Sequence, residues 1–306
     1  MRRSVRTLAV TGGTGFVGQH LLRLALADGY DVRALTRGWK PPEQEIVWVD
    51  GALDRPDSLV KLCSGADAVI HVAGMISGSR EEFEAVNVGG TANMIDAARK
   101  AGVRRFIHIS SLAAREPEIS VYGWSKMKSE RLVSASGLDW TIIRPPAVYG
   151  PGDRETLELF RMARRGLVGL PPKGRFSVVH VEDLCRLILA VLEDEDSRSA
   201  LYEPDDGRAD GWEHREFAQA LGDAYGKKPM AFSFPQPVMR IASRVDRLLH
   251  GKKAKLTADR VGLYAHPDWV SSAERRPPQR LWAPQVPTPA GLQSTAEWYK
   301  AQGWLG

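Results

Sequence analysis

The chain has 306 residues, enough to bury one large domain or a nucleotide-binding domain with a smaller lobe. Its 43% hydrophobic and 26% charged residues exclude a disordered or fibrous chain, and a net charge of +5 is too mild to specify an acidic partner. Cys63 and Cys185 lack metal-ligand spacing, which excludes a disulfide framework and points to a reducing compartment. Residues 1–6 have no apolar core for a secretory signal, and no run reaches membrane-spanning length, so the expected location is the cytoplasm. The sequence carries no nucleic-acid motif and no basic stripe interleaved with aromatics, so nucleic acid is not an expected partner.

An apolar run over 7–11 ends in a glycine cluster, Gly12, Gly13, Gly15 and Gly18, and a helical pattern over 16–28 follows at once. Strand, tight turn and helix in that order are the context of a dinucleotide phosphate site. Gly12 or Gly13 turns the chain off the strand, Gly15 admits a pyrophosphate, and Gly18 brings the helix close to the sheet. The helix N-terminus then offers free N–H groups to an anion.

Further strands are predicted at 31–36, 45–49, 68–73, 104–110 and 139–144, and helices at 56–64, 81–101 and 121–136. Gly29, Gly65, Gly102 and Gly137 follow helical patterns as C-terminal glycines do. This alternation predicts an α/β fold: a doubly wound, Rossmann-type parallel sheet with a smaller C-terminal substrate lobe. After Tyr149–Asp153 the periodicity breaks. A run over 176–181 reads as a return to the sheet, followed by a helix from 182 to about 192. The expected division is therefore 1–150 with 176–202 for the nucleotide, and 151–175 with 203–306 for the substrate. Residues 288–304 read as one amphipathic helix.

In 237–255, Val238, Met239, Ile241, Ala242, Val245, Leu248 and Leu249 make an apolar face, and Arg240, Arg244, Arg247, Lys252, Lys253 and Lys255 add positive charge. A membrane-surface helix and the lid of a lipid-like pocket fit this pattern. A lobe helix with a solvated basic face fits it too and is preferred here, because amphipathicity alone is common in globular proteins.

Tyr122 and Lys126 stand four residues apart on a predicted helix, so they share a face. A neighbouring ammonium lowers a phenol's pKa and equips Tyr122 to exchange a proton with a substrate oxygen. The strand over 104–110 delivers Ser110 and Ser111 to its C-terminal end, where open α/β sheets bind ligands. One serine is expected to be catalytic and the other structural or cofactor-facing.

These residues resemble the extended branch of the short-chain dehydrogenases/reductases, the NAD(P)-dependent epimerase/dehydratase-like group. Thr11–Gly18 resembles its T-G-x-x-G-x-x-G turn, and Tyr122 with Lys126 its Y-x-x-x-K pair. His71–Gly74 is similar to H-x-A-G, Asn87–Thr91 to N-x-x-G-T, Arg144–Asp153 to R-P-x-x-V-Y-G-P-G-D, and His180–Leu184 to part of V-H-V-x-D-L. The resemblance implies a nicotinamide cofactor, with Tyr122 handling the proton, Lys126 also holding the ribose, and Ser111 as the catalytic serine. It carries cofactor contacts to Thr11, Gly12, Thr14, Gly15, Phe16 and Val17 at the turn and to Leu53 near the adenine. Val72, Ala73, Gly74, Met75, Asn87, Pro145 and Pro146 complete that set. It also implies a homodimer through the helices at 81–101 and 121–136.

The second strand ends in Thr36 and Arg37, where an NAD site usually carries an acid for the ribose 2′-OH. A guanidinium suits a phosphate, so NADP(H) is the expected preference, with Arg37 on the 2′-phosphate and Lys40 as helper; NAD(H) also remains compatible. Two departures stand out. Gly51-Ala52-Leu53 lacks the aspartate of the family's G-D-L, and Ala147 replaces the asparagine that holds a sugar nucleotide's pyrophosphate. Ser110-Ser111-Leu112 stands where dehydratases carry Thr-Asp-Glu. The expected activity is therefore an oxidoreductase acting on a small-molecule carbonyl or secondary alcohol, with a hydrophobic substrate suiting the 238–249 face. A sugar-nucleotide epimerase or dehydratase with retained cofactor, and a non-catalytic nucleotide sensor, are the alternatives. His108 is expected to be packed and hydrogen-bonded, and His180 to be structural. Trp269, Trp282, Trp298 and Trp304 are expected to pack the lobe. No metal site is expected, and Asp194-Glu195-Asp196 reads as solvated.

Overall fold

The computed structural model describes residues 5–40, 45–251 and 256–305. Lys252, Lys253 and Lys255 lie outside the described residues.

Six strands alternate with helices: β1 (Thr7–Thr11), α1 (Phe16–Ala27), β2 (Asp31–Thr36), β3 (Ile46–Asp50), α2 (Pro56–Cys63) and β4 (Ala68–His71) lead the series. Then come α3 (Arg80–Phe83), α4 (Gly90–Lys100), β5 (Arg105–Ile109), α5 (Val121–Ser134) and β6 (Asp139–Ile143). The helix expected at 81–101 runs from Arg80 to Lys100, with a π-helical stretch, Glu84–Gly89, joining α3 to α4.

The second half holds β7 (Ala147–Tyr149), α6 (Glu155–Arg164), β8 (Leu167–Leu170), β9 (Arg175–Phe176), β10 (Val178–His180), α7 (Val181–Ala190) and β11 (Ala200–Tyr202). They are followed by β12 (Trp212–Glu213), α8 (His214–Tyr225), β13 (Met230–Ser233), α9 (Gln236–His250), α10 (Ala258–Ala265), β14 (Asp268–Trp269) and α11 (Thr288–Ala301).

The main sheet has seven parallel strands in the order β11-β6-β5-β4-β1-β2-β3. Strand order reverses between β1 and β4, so a crevice opens at their C-terminal ends, the position where doubly wound sheets take ligands.

The strand expected over 176–181 does not rejoin this sheet. Val178–His180 pairs instead with Ala147–Tyr149 in a separate two-stranded ribbon. Pro145 and Pro146 lack the N–H donors a ladder needs, so the chain leaves the sheet after β6. Ala200–Tyr202 occupies the open edge of β6 in register with Thr141–Ile143.

Side chains alternate across the strands and build a core on each face of the sheet. Leu8 and Val10 face α1 and α7 with Leu21, Leu22, Leu184 and Ile188. Ala9 faces α2 and α4 with Leu59, Leu62, Met94 and Phe106. A third core joins α6, α8 and α11 through Phe160, Phe217, Leu221, Leu292 and Tyr299. Trp298 and Trp304 pack around Tyr299, Trp282 donates to the Asp183 carbonyl (2.9 Å), and Trp269 to the Leu263 carbonyl (2.7 Å). These four tryptophans are packing residues. Both cysteines are buried thiols.

Candidate active site

The site begins at the turn after β1. Gly12 has φ +77°, a left-handed conformation that disfavours a side chain, and a Cβ there would stand 2.7 Å from the Ala73 nitrogen. Gly12 is thus the residue that turns the chain, whereas Gly13 packs against Leu22. Gly18 lies so close beneath the turn that a Cβ would meet the Gly12 carbonyl oxygen at 2.0 Å. α1 starts at Gly15 in extended conformation, with no side-chain cap and no acid in its first turn. Thr14 and Gly15 are exposed there. This uncapped, acid-free N-terminus fits a diphosphate. Phe16 and Val17 lean on the core below it.

Thr11 sits deeper. It is buried, and its hydroxyl pairs with His71 Nδ1 (2.7 Å) and accepts the Ala73 N–H (3.2 Å). Its side chain therefore ties β1 to β4 at the switch point. Val72 packs against the first core, and Leu53 lies against Gly90 of α4, with its carbonyl accepting from Asn93 (2.8 Å).

At the end of β2 the Thr36 hydroxyl is turned back to the Gly38 carbonyl (2.8 Å), while Arg37 is exposed and has no partner among the described residues. The Lys40 ammonium lies 5.7 Å from the centre of the Trp48 ring. Asp50, adjacent to the missing family aspartate, faces solvent and pairs with Arg55 (3.7 Å).

Asn87 sits in the π-helical stretch. Its Oδ1 accepts the Met75 N–H (2.8 Å), and its Nδ2 donates to the Met75 carbonyl (3.1 Å) and to Ser125 Oγ (2.9 Å). The extra residue of a π turn re-aims one side chain. Here it clamps the loop after β4 onto α5. Gly74 is exposed between them, and a Cβ there would lie 3.2 Å from Asn87 Oδ1 and 3.8 Å from Lys126 Nζ.

The two serines after β5 have different surroundings. Ser110 is buried and donates to Glu130, which makes a bidentate pair with Arg144. Ser111 caps the short helix that follows, accepting the Ala113 N–H (3.2 Å), and its hydroxyl lies near enough to Tyr122 to act on the phenol. Lys126 is buried one turn further along α5, with Nζ donating to the Ile109 carbonyl (2.6 Å). Pro145 lies beside this group, its carbonyl accepting from Leu112 (3.1 Å), and Pro146 is half-buried. A seryl hydroxyl, a phenol and an ammonium thus converge at the C-terminal edge of β5.

Their electrostatics differ from expectation. In the chain alone Lys126 does not depress the Tyr122 pKa. Burial pushes the phenol up, and the neighbouring Ser111 hydroxyl opposes that rise. The physical reason is that the ammonium is drawn to the strand carbonyl, and burial lowers its own pKa to about 8 while Glu130 raises it. His108 also departs from expectation: it is buried and stacked on His71 at 5.5 Å, but neither ring nitrogen has a hydrogen-bond partner among the described residues. Burial, aided by Lys126, holds His108 well below the usual histidine range and therefore neutral. His180 is structural: Nδ1 accepts the Glu182 N–H (3.3 Å) at the start of α7.

Two features escape sequence reasoning. Asp259, on α10, accepts the Val121 N–H (2.5 Å) and the Tyr122 N–H (3.4 Å), so the distal lobe caps the helix that carries Tyr122 and Lys126. Glu203, fully buried, gathers Arg115 (3.5 Å), Arg144 (3.3 Å) and the Ser272 N–H (2.9 Å). Glu130 stands four residues after Lys126, and that spacing on a helix is the one signal that points to it. Among the described residues no cluster of metal-ligating side chains occurs.

A doubly wound sheet with a glycine turn after β1 and Ser111, Tyr122 and Lys126 at its C-terminal edge defines an NAD(P)-dependent oxidoreductase of the short-chain dehydrogenase/reductase type. The chain belongs to the NAD dependent epimerase/dehydratase family, whose model matches residues 8–202. It is 37% identical to a ceramide reductase of Caulobacter vibrioides, over 97% of this chain and 96% of that one. It is 27% identical to a 4-hydroxy-2-methyl-3-oxo-4-farnesyl-3,4-dihydroquinoline-1-oxide ketoreductase of Stigmatella aurantiaca, covering 78% of this chain and 79% of the relative. In fold it is similar to the crystal structure of gox2253, with a TM-score of 0.79 at 23% identity over 99% of this chain and 100% of that one.

Proposed function

We propose that the protein is an NADP(H)-preferring reductase that converts a carbonyl of a long-chain, ceramide-like lipid to a secondary alcohol. The observation that carries the reaction type is the grouping of the Ser111 hydroxyl and the Tyr122 phenol beside Lys126 at the ligand edge of the sheet. The substrate class draws on the near full-length similarity to a ceramide reductase and on the farnesyl-bearing substrate in the second relative's name. In this reading 1–150 with 176–202 hold the nucleotide, and 151–175 with 203–306 hold the substrate.

When bound, a reduced nicotinamide supplies the hydride. Tyr122 gives its phenolic proton to the substrate oxygen, and hydride plus proton make the alcohol. Burial keeps the phenol protonated at neutral pH, which suits the reductive direction. Ser111 donates a hydrogen bond to the same oxygen and opposes its drift as charge develops. Lys126 holds the ribose, with Asn87 fixing the loop and helix around it. Arg37, exposed and without a partner among the described residues, suits a 2′-phosphate. Ala147 is exposed and offers only a methyl group, which counts against a sugar-nucleotide substrate.

The test is NADPH absorbance with purified protein against long-chain keto lipids, sterol ketones and sugar nucleotides in parallel. Steady NADPH consumption with keto lipids is the expected result. Activity confined to sugar nucleotides, with nucleotide retained through purification, overturns the proposal.

A further inference from the structure

α9 is turned inside out. Of its fifteen residues only Ser243 is buried, and Gln236, Met239 and Asp246 are the half-buried ones. At roughly 100° per residue these four share one side of the helix, and that side faces the protein. The opposite side carries Val238, Ile241, Val245, Leu248 and Leu249, all exposed; Ile241 is 61%, Leu249 71% and Leu248 85% exposed. The strand leading into the helix adds Met230, Phe232 and Phe234, also exposed. Arg240, Arg244 and Arg247 lie along one flank, exposed and without an ion-pair partner among the described residues. A helix folded for the lobe alone would turn its apolar stripe inward.

We propose that α9 docks the protein on a bilayer carrying anionic lipid, lying in the headgroup plane with its apolar stripe against the acyl chains. A basic flank beside an apolar stripe is complementary to anionic headgroups over hydrocarbon, and a helix of this length lies on a membrane rather than spanning it. Among the described residues no helix is long and apolar enough to cross one.

The position of α9 gives the docking a use. α9 packs on α10, and α10 caps the start of α5 through Asp259, directly before Tyr122. An open cleft of about 380 Å³ lies between them, lined by Ile119, Gln236, Arg240, Gly262 and Ala265. The bilayer face is thus one helix removed from the Ser111–Tyr122 group. The inference rests on the surface of α9 and not on the proposed reaction, so loss of either leaves the other standing.

The test is co-sedimentation of the full chain with vesicles of phosphatidylcholine alone and of phosphatidylcholine with phosphatidylglycerol, at low and high salt. Wild-type protein is expected to bind the anionic vesicles, and more weakly at high salt. Ile241→Glu with Leu248→Glu is expected to lower partitioning at least about tenfold, with melting temperature and NADPH binding unchanged. Arg244→Glu with Arg247→Glu is expected to remove the preference for anionic vesicles. The proposal is overturned if wild-type protein stays in the supernatant at every composition. It is equally overturned if α9 instead buries itself in a dimer that Ile241→Glu with Leu248→Glu dissociates while vesicles are ignored.

Discussion

Gly18→Ala separates the role of the phosphate turn from that of the sheet beneath it. The new methyl would stand 2.0 Å from the Gly12 carbonyl oxygen, so reaching even 3.0 Å needs a 1.0 Å retreat of α1 from the turn. Overpacking of this kind costs about 1–3 kcal/mol. Alanine within a helix recovers about 1 kcal/mol relative to glycine, so the net loss of stability is roughly 0–2 kcal/mol. The cofactor feels the change more strongly, because the N–H groups at 15–17 must sit where the diphosphate binds, and weakening one hydrogen bond to a charged phosphate, worth about 1.5–3 kcal/mol, costs about 10–100-fold in affinity. Fluorescence titration with NADPH is expected to show an affinity loss of that order, while thermal unfolding shifts by only a few degrees. Gly15→Ala is the companion. Its Cβ meets only the Gly12 oxygen at 3.3 Å, so stability stays near wild type. If Gly18→Ala binds NADPH within about twofold of wild type, close helix packing does not position the phosphate site.

Further outcomes follow from the same geometry. Arg37→Asp is expected to weaken NADPH use while sparing NADH, seen as a reversed ratio of kcat/KM; wild-type protein that uses both cofactors equally, with a neutral Arg37→Asp, removes Arg37 from the site. Lys126→Met is expected to abolish turnover yet raise the melting temperature of the cofactor-free protein at pH 7. Burial lowers the Lys126 pKa from 10.5 to about 8, so holding it charged costs about 3 kcal/mol. Because the folded state releases this proton more readily than the unfolded state, stability from this group rises with pH between about 8 and 10.5. The advantage of Lys126→Met therefore shrinks across that window in thermal scans. Asp259→Ala leaves the Ser120 cap of α5 in place but removes the acceptor for the Val121 and Tyr122 N–H groups, and is expected to cost about 0.5–2 kcal/mol, with lower kcat and little change in NADPH affinity.

The first half of the fold is legible because its signals are local. Apolar runs of strand length, helical spacing and glycines at the helix ends together place β1 to β6 and α1 to α5 within a few residues. The roles of the two serines are not legible in this way, since both lie toward α5, Ser110 on Glu130 and Ser111 near Tyr122, and the choice of Ser111 comes from the family resemblance. The rest depends on contacts distant in sequence. Nothing near Val178 says that it pairs with Ala147 rather than with Ile142; the competition is settled by Ala200–Tyr202, which takes the β6 edge. The Asp259 cap spans 138 residues, and no local pattern announces it. Partial legibility is the lesson of α9. Its two faces are plain in the sequence, but which one turns inward is set by its packing on α10, the next helix along the chain. His108 shows the limit for single polar residues: a histidine in a fully buried strand suggests a hydrogen bond, yet the strand brings it to His71 and leaves both nitrogens without partners among the described residues.

Paired measurements on Tyr122→Phe test the central claim most directly, because only one oxygen is removed at the meeting point of Ser111 and Lys126. NADPH binding and NADPH consumption with a long-chain keto lipid are followed on the same preparation. The account predicts wild-type affinity for NADPH and a turnover rate lower by about 10²–10⁴-fold. Turnover within a few-fold of wild type would contradict it.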